Sequence, residues 1–168
     1  MNTKTIVITG GPGSGKTSII KALTKRGFTC SEEISREVIL KARERGIEQL
    51  FLTNPLQFSE TLLEGRIEQF NEALESDNEF VFLDRGIPDI QAYMDFKGDT
   101  YPDFFTIACK KHKYDSVFIL APWQDIFTND NERYENFDQA QEIHEKLLET
   151  YTKYGYNLRD VPFGSIEV

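Results

Sequence analysis

Along this chain, short apolar runs alternate with longer stretches in which apolar side chains recur at helical spacing. Thr5-Ile6-Val7-Ile8-Thr9 is β-branched throughout and ends at two glycines, which predicts a strand buried on both faces of a parallel sheet. Phe80-Val81-Phe82-Leu83-Asp84 and Val117-Phe118-Ile119-Leu120 read the same way, while Phe28-Thr29-Cys30 and Tyr156 to Val161 are weaker strand signals. Between them the spacing predicts helices over about 16–25, from Ser31 to about Arg45, from Pro55 to near Ser76, from Pro88 through Met94, over about 101–111 and over about 137–154. Asn54-Pro55 supplies a cap and a first-turn proline for the third helix, with Phe58, Leu62, Leu63, Ile67, Phe70 and Leu74 as its apolar stripe. The apolar pairs Phe51-Leu52 and Phe104-Phe105 are expected in the core. Strands alternating with helices predict one α/β domain over residues 1–168 with a mostly parallel sheet. No repeat, low-complexity tract or linker interrupts it.

The turn after the first strand carries the chemistry. Gly10-Gly11-Pro12-Gly13-Ser14-Gly15-Lys16-Thr17 fits G-x-x-x-x-G-K-[ST], with a buried strand before it and a helix after. Glycines at 10, 13 and 15 let backbone N–H groups turn inward around phosphate oxygens, and the helix N-terminus favours the same anion. The nucleotide-contacting stretch is read as Gly11, Pro12, Gly13, Ser14, Gly15, Lys16, Thr17 and Ser18. Lys16 is expected to bridge the outer phosphates and the Thr17 hydroxyl to ligate Mg²⁺. The pattern implies a nucleoside triphosphate and leaves its use open. Asp84 ends an apolar strand, where a second carboxylate toward the metal belongs in this kind of site.

Length and charge narrow the choice. At 168 residues the chain is too short for a motor with a helical lid domain. A signalling GTPase would show Asp-x-x-Gly where Asp84-Arg85-Gly86-Ile87 stands and Asn-Lys-x-Asp later, and neither is present. Net charge −9 argues against general nucleic-acid binding, and with it against a nucleic-acid-dependent ATPase. Residues 1–45 hold nine Lys or Arg against four Asp or Glu, +5 overall, enough to seat a small anion on an acidic protein. Cys30, Cys109, His112 and His144 show no metal-ligand spacing and are read as structural or solvent-facing. No apolar run approaches a membrane span or signal-peptide core, so a soluble, cytoplasmic protein without membrane partners is expected.

The Asp84-Arg85 pair looks like the small-molecule kinases of the P-loop class. Ile8 through Thr17, Glu32-Glu33-x-x-Arg36, Asp84-Arg85-Gly86-Ile87-Pro88-Asp89 and Asp130-x-x-Arg133 resemble the small AAA-type ATPase family that includes the ribosylnicotinamide kinase domain of bacterial NAD-metabolism regulators. The similarity extends over nearly the whole chain, and Asp-Arg-Gly-Ile-Pro-Asp is its more family-specific piece. The fold it implies is a three-layer αβα P-loop sandwich with five parallel strands in the order 2-3-1-4-5. It further implies ATP and Mg²⁺, with Thr17 and Asp84 as metal ligands. Glu33, preferred over Glu32, would be a general base; Arg36 and Arg85 would hold the acceptor. Arg133, in a lid-like segment at about 124–138, would cross the triphosphate beside the catalytic Lys16, Asp84 and Arg85. Pro162-Phe163-Gly164-Ser165 stands where such kinases seat adenine. The resemblance lies with the kinase domain of those regulators, so their adenylyltransferase activity is not expected to carry over to these 168 residues. The implied function is transfer of the ATP γ-phosphoryl group to a nucleoside-like hydroxyl; the alternative is an ATP-dependent switch acting through a protein partner.

Overall fold

The computed structural model describes residues 3–11, 14–31, 34–46, 54–122 and 137–162. Its centre is β1 (Lys4–Gly10), paired in parallel with β3 (Phe80–Asp84) on one side and β4 (Ser116–Leu120) on the other. Outside these lie β2 (Thr29–Ser31) on β3 and β5 (Arg159–Asp160) on β4, giving the all-parallel order β2-β3-β1-β4-β5. The helices are α1 (Lys16–Lys25), α2 (Ser35–Glu44), α3 (Pro55–Leu74), α4 (Ile87–Lys97), α5 (Phe104–Lys111) and α6 (Phe137–Lys153). This is the expected three-layer α/β sandwich. No helix among the described residues is long and apolar enough to cross a membrane.

The central strands are apolar because helices cover the sheet. Val7, Leu83, Val117 and Ile119 are all at most 1% exposed. Against them pack Ile87 and Ala92 of α4 and Ile143, Leu147 and Tyr151 of α6, all within one core cluster. Each large side chain so buried contributes roughly 1.5–3 kcal/mol. The cap read at Asn54 is in place: its side chain accepts from the Gln57 N–H at 3.2 Å, with Pro55 in the first turn of α3.

Among the departures from the sequence expectation are two strand and helix boundaries and one burial. Ser31 stays in the ladder of β2, opposite Leu83, so α2 opens at Ser35 rather than at Ser31. The last strand shrinks to two residues because Tyr156 turns inward: its hydroxyl accepts from the Tyr114 N–H at 2.9 Å and its ring meets Tyr151 edge-on. Phe104 and Phe105 divide, with Phe105 buried and Phe104 41% exposed. Neighbours on a helix point about 100° apart, so only one of them reaches the core. Phe51-Leu52 lies outside the described residues.

Candidate functional site

Strand register brings the two halves of the site together. Ile8 lies opposite Asp84, so β1 and β3 end side by side, with Gly10 just beyond. Gly15 caps α1 at φ +84, in the left-handed region that glycine enters without steric cost. Gly10 is not among the positive-φ residues; there the constraint is a neighbour, since an added Cβ would lie 2.9 Å from the Leu120 carbonyl. Ser14 and Lys16 are buried, Gly11 is buried against Ile143, and Thr17 and Ser18 are exposed on the first turn of α1.

The Lys16 ammonium touches the Asp84 carboxylate, Nζ to Oδ1, with both side chains under 10% exposed. Two groups 68 positions apart, each expected at the site, are thus in direct contact. Arg85 follows in the left-handed region at φ +73, which costs a non-glycine residue about 1–2 kcal/mol. Its N–H bonds the Ile8 carbonyl at 2.9 Å, and its guanidinium lies over the Tyr93 ring, 5.5 Å from the centroid. Other sequence-predicted residues are not placed. Pro12, Gly13, Glu32, Glu33, Arg133, the segment 124–136 and Phe163-Gly164-Ser165 lie outside the described residues. Of Arg36 only the backbone, in the first turn of α2, is described.

Around the turn after Asp84 stand residues to which the sequence assigns no role, although Asp89 closes the Asp-Arg-Gly-Ile-Pro-Asp motif. Asp89, in the first turn of α4, accepts from the Gly86 N–H at 2.9 Å and from the hydroxyls of Thr9 and Tyr151. Arg66 of α3, 3% exposed, donates to the Gly86 carbonyl at 3.0 Å, and Tyr114 accepts from the Ile87 N–H at 3.1 Å. Burial pushes the Tyr151 phenol well above its ordinary value, helped by the Asp89 charge, so it acts as a fixed donor. Arg66 had a visible signal: it interrupts the apolar stripe of α3 between Leu62 and Phe70. Asp89 stands three residues after the helix-capping Gly86, the position of a reciprocal cap.

A groove of about 480 Å³ runs between α2 and α3, away from Lys16 and Asp84. Glu37, Glu64, Glu68 and Glu72 outnumber Lys41 and Arg45 along it, so its charge repels a triphosphate. Among the described residues no cluster of three or more His, Cys, Asp or Glu could hold a metal. For Mg²⁺ with a nucleotide, the available donors are the exposed Thr17 hydroxyl and the Asp84 carboxylate. Both are hard oxygens of the kind that ion takes, with water and phosphate completing its shell.

A family model described as an AAA domain matches residues 5–168. No curated protein matches the chain in sequence. Among solved structures, a NadR protein in complex with NR superposes with a TM-score of 0.70 at 17% identity, covering 94% of this chain and 43% of that one. The chain thus spans less than half of that protein. Deoxyadenosine kinase from M. mycoides, with the products dCMP and a flexible dCDP bound, gives 0.68 at 16% identity, covering 98% and 91% of the two chains. Thymidylate kinase from Candida albicans gives 0.65 at 20% identity, covering 99% and 87%. These likenesses establish a shared P-loop kinase fold.

Proposed function

The chain belongs to the AAA domain family that it matches over residues 5–168, and on that premise we propose that it is a small-molecule kinase using Mg·ATP and a nucleoside-like acceptor. The observation that carries the reading is the contact between Lys16 and Asp84 at the adjoining ends of β1 and β3. A lysine at the phosphate loop and a carboxylate beside it are groups that phosphoryl transfer of this class uses, the one for the outer phosphates and the other toward the metal. The kinase fold of the structural neighbours supports the same class of chemistry.

In this reading the backbone N–H groups of the Gly11 to Ser18 stretch, other than at Pro12, and the Lys16 ammonium hold the β- and γ-phosphates. Thr17 and Asp84 would hold Mg²⁺, which when bound would supply compensation for the charge of the triphosphate. The acceptor hydroxyl gives its proton to a carboxylate, Asp84 or Glu33, as its oxygen bonds the γ-phosphorus. The bond from that phosphorus to the bridging β,γ-oxygen breaks, and ADP leaves. Arg85 and Arg36 would hold the acceptor, and Arg133 would offset charge on the transferring group. Little covalent work falls to the protein, and positioning supplies most of the acceleration.

The test is ADP release from Mg·ATP with and without a panel of nucleosides, nicotinamide riboside included, with Lys16→Ala as the blank. Stimulation of tenfold or more by one compound supports a kinase and identifies its acceptor class. A slow rate unmoved across the panel overturns the kinase reading in favour of a nucleotide switch. A rate equal to that of Lys16→Ala removes the phosphate-loop assignment itself.

A further inference from the structure

Asp89 is 0% exposed, and its carboxylate gathers donors from three separate parts of the chain. Thr9, the residue before Gly10 at the mouth of the phosphate loop, donates to Oδ2. On Oδ1 converge the Gly86 N–H, at 2.9 Å, and the Tyr151 phenol from α6. A carboxylate withdrawn from water requires such a set of donors. Across Gly86 stands the opposite charge, the Arg66 guanidinium on the Gly86 carbonyl. One residue is therefore held at its N–H by a buried anion and at its carbonyl by a buried cation. No side chain fits at Gly86: an added Cβ would lie 2.9 Å from the Tyr151 hydroxyl and 3.0 Å from the Tyr114 ring. Immediately before it is Arg85, in a backbone conformation that persists only where its surroundings over-determine it.

We infer that Asp89 is a positioning residue for the phosphoryl transfer proposed above: it ties the last residue before the phosphate loop to the turn that follows Asp84 and Arg85, and so sets the spacing between the two halves of the site. The inference rests on that functional reading. The three links are separable. Loss of the Thr9 hydroxyl removes the tie from Asp89 to the end of β1, leaving the Arg85 N–H on the Ile8 carbonyl and the Lys16–Asp84 contact. Loss of the Tyr151 hydroxyl cuts only α6, because Thr9 on Oδ2 and Gly86 on Oδ1 remain.

The experiment compares Thr9→Val, Thr9→Ser and Tyr151→Phe with the wild-type chain. It reads kcat and KM for Mg·ATP turnover, Kd for Mg·ATP, and Tm. Thr9→Val is expected to lower kcat tenfold or more while Kd stays within threefold, and Thr9→Ser to restore kcat to within threefold. Tyr151→Phe is expected to lower Tm at least as far as Thr9→Val yet keep kcat within threefold. A residue acting through stability alone would make kcat follow Tm across all three variants. Wild-type kcat in Thr9→Val, or an equal loss in Tyr151→Phe, overturns the inference while the kinase reading stands. If Thr9→Val does not fold, Thr9→Ala is read by the same criteria. Wild-type turnover no faster than Lys16→Ala sinks the functional reading and this inference with it.

Discussion

Lys16 and Asp84 form a buried ion pair whose members are each costly alone. Removing one partner leaves the other charge poorly solvated, a loss of about 3 kcal/mol or more. Lys16→Ala and Asp84→Ala are therefore each expected to lower stability, and the double variant to lose less than the two losses added. A coupling of about 1–3 kcal/mol in a urea-unfolding double-mutant cycle checks this, and strict additivity would mean that the contact carries no energy. For function, Asp84→Asn should leave Mg·ATP binding measurable and reduce turnover about a hundredfold or more. Wild-type turnover in that variant would make the carboxylate structural. Lys16 and Asp84 were each legible in the sequence, one from the spacing of glycines, the other from its place at the end of an apolar strand. Thr9, Arg66 and Asp89 were not read as parts of the site. Thr9 looks ordinary locally, a strand threonine; Arg66 shows only as a break in the apolar stripe of α3, and Asp89 only as the last residue of Asp-Arg-Gly-Ile-Pro-Asp, with nothing local to say what either binds.

At the scale of elements, the sequence is most informative where a boundary is set by near neighbours. Asn54 accepts from the N–H three residues on, so Asn54→Ala should cost α3 about 1 kcal/mol. That loss should appear as a lower urea midpoint with an unchanged m-value; a changed m would point to an altered denatured or native state instead. β1, β3, β4 and α1 fall where the apolar pattern placed them, because buried parallel strands and a helix following a glycine turn have strong local signatures. The start of α2 and the extent of β5 were misplaced for a common reason. Ser31 is kept extended by pairing with β3, and Tyr156 is drawn inward by Tyr114, and neither partner is near in sequence.

For the whole molecule, burial of ionisable side chains predicts a limit at high pH. Tyr101 and Cys109 are pushed up to about 12, chiefly by burial. Tyr114, Tyr151, Tyr154 and Tyr156 are raised for the same leading reason. Each is an acid whose neutral form the fold favours, so above its ordinary value the unfolded chain releases protons that the native chain keeps. Their contribution to stability is complete below the ordinary values, 9.0 for the thiol and 10.0 for the phenols, and is lost as pH rises through the folded ones. The urea midpoint should begin to fall at about pH 9 and fall most steeply from about pH 10 to about pH 12, with phenolate absorbance appearing in step with unfolding. A midpoint level through about pH 11 would contradict this.

The sequence by itself determined the α/β class, the phosphate loop and its helix, the carboxylate at the end of β3 and the cap of α3. These rest on backbone preferences, period-2 and period-3.6 burial and hydrogen bonds spanning a few residues, all written in consecutive positions. Only the tertiary structure decided which distant groups meet: Lys16 on Asp84, Thr9 on Asp89 across 80 positions, and Arg66 on Gly86. Those contacts depend on strand register and on which helix faces cover the sheet. Both are settled by burying one common core, so no local stretch of sequence encodes them.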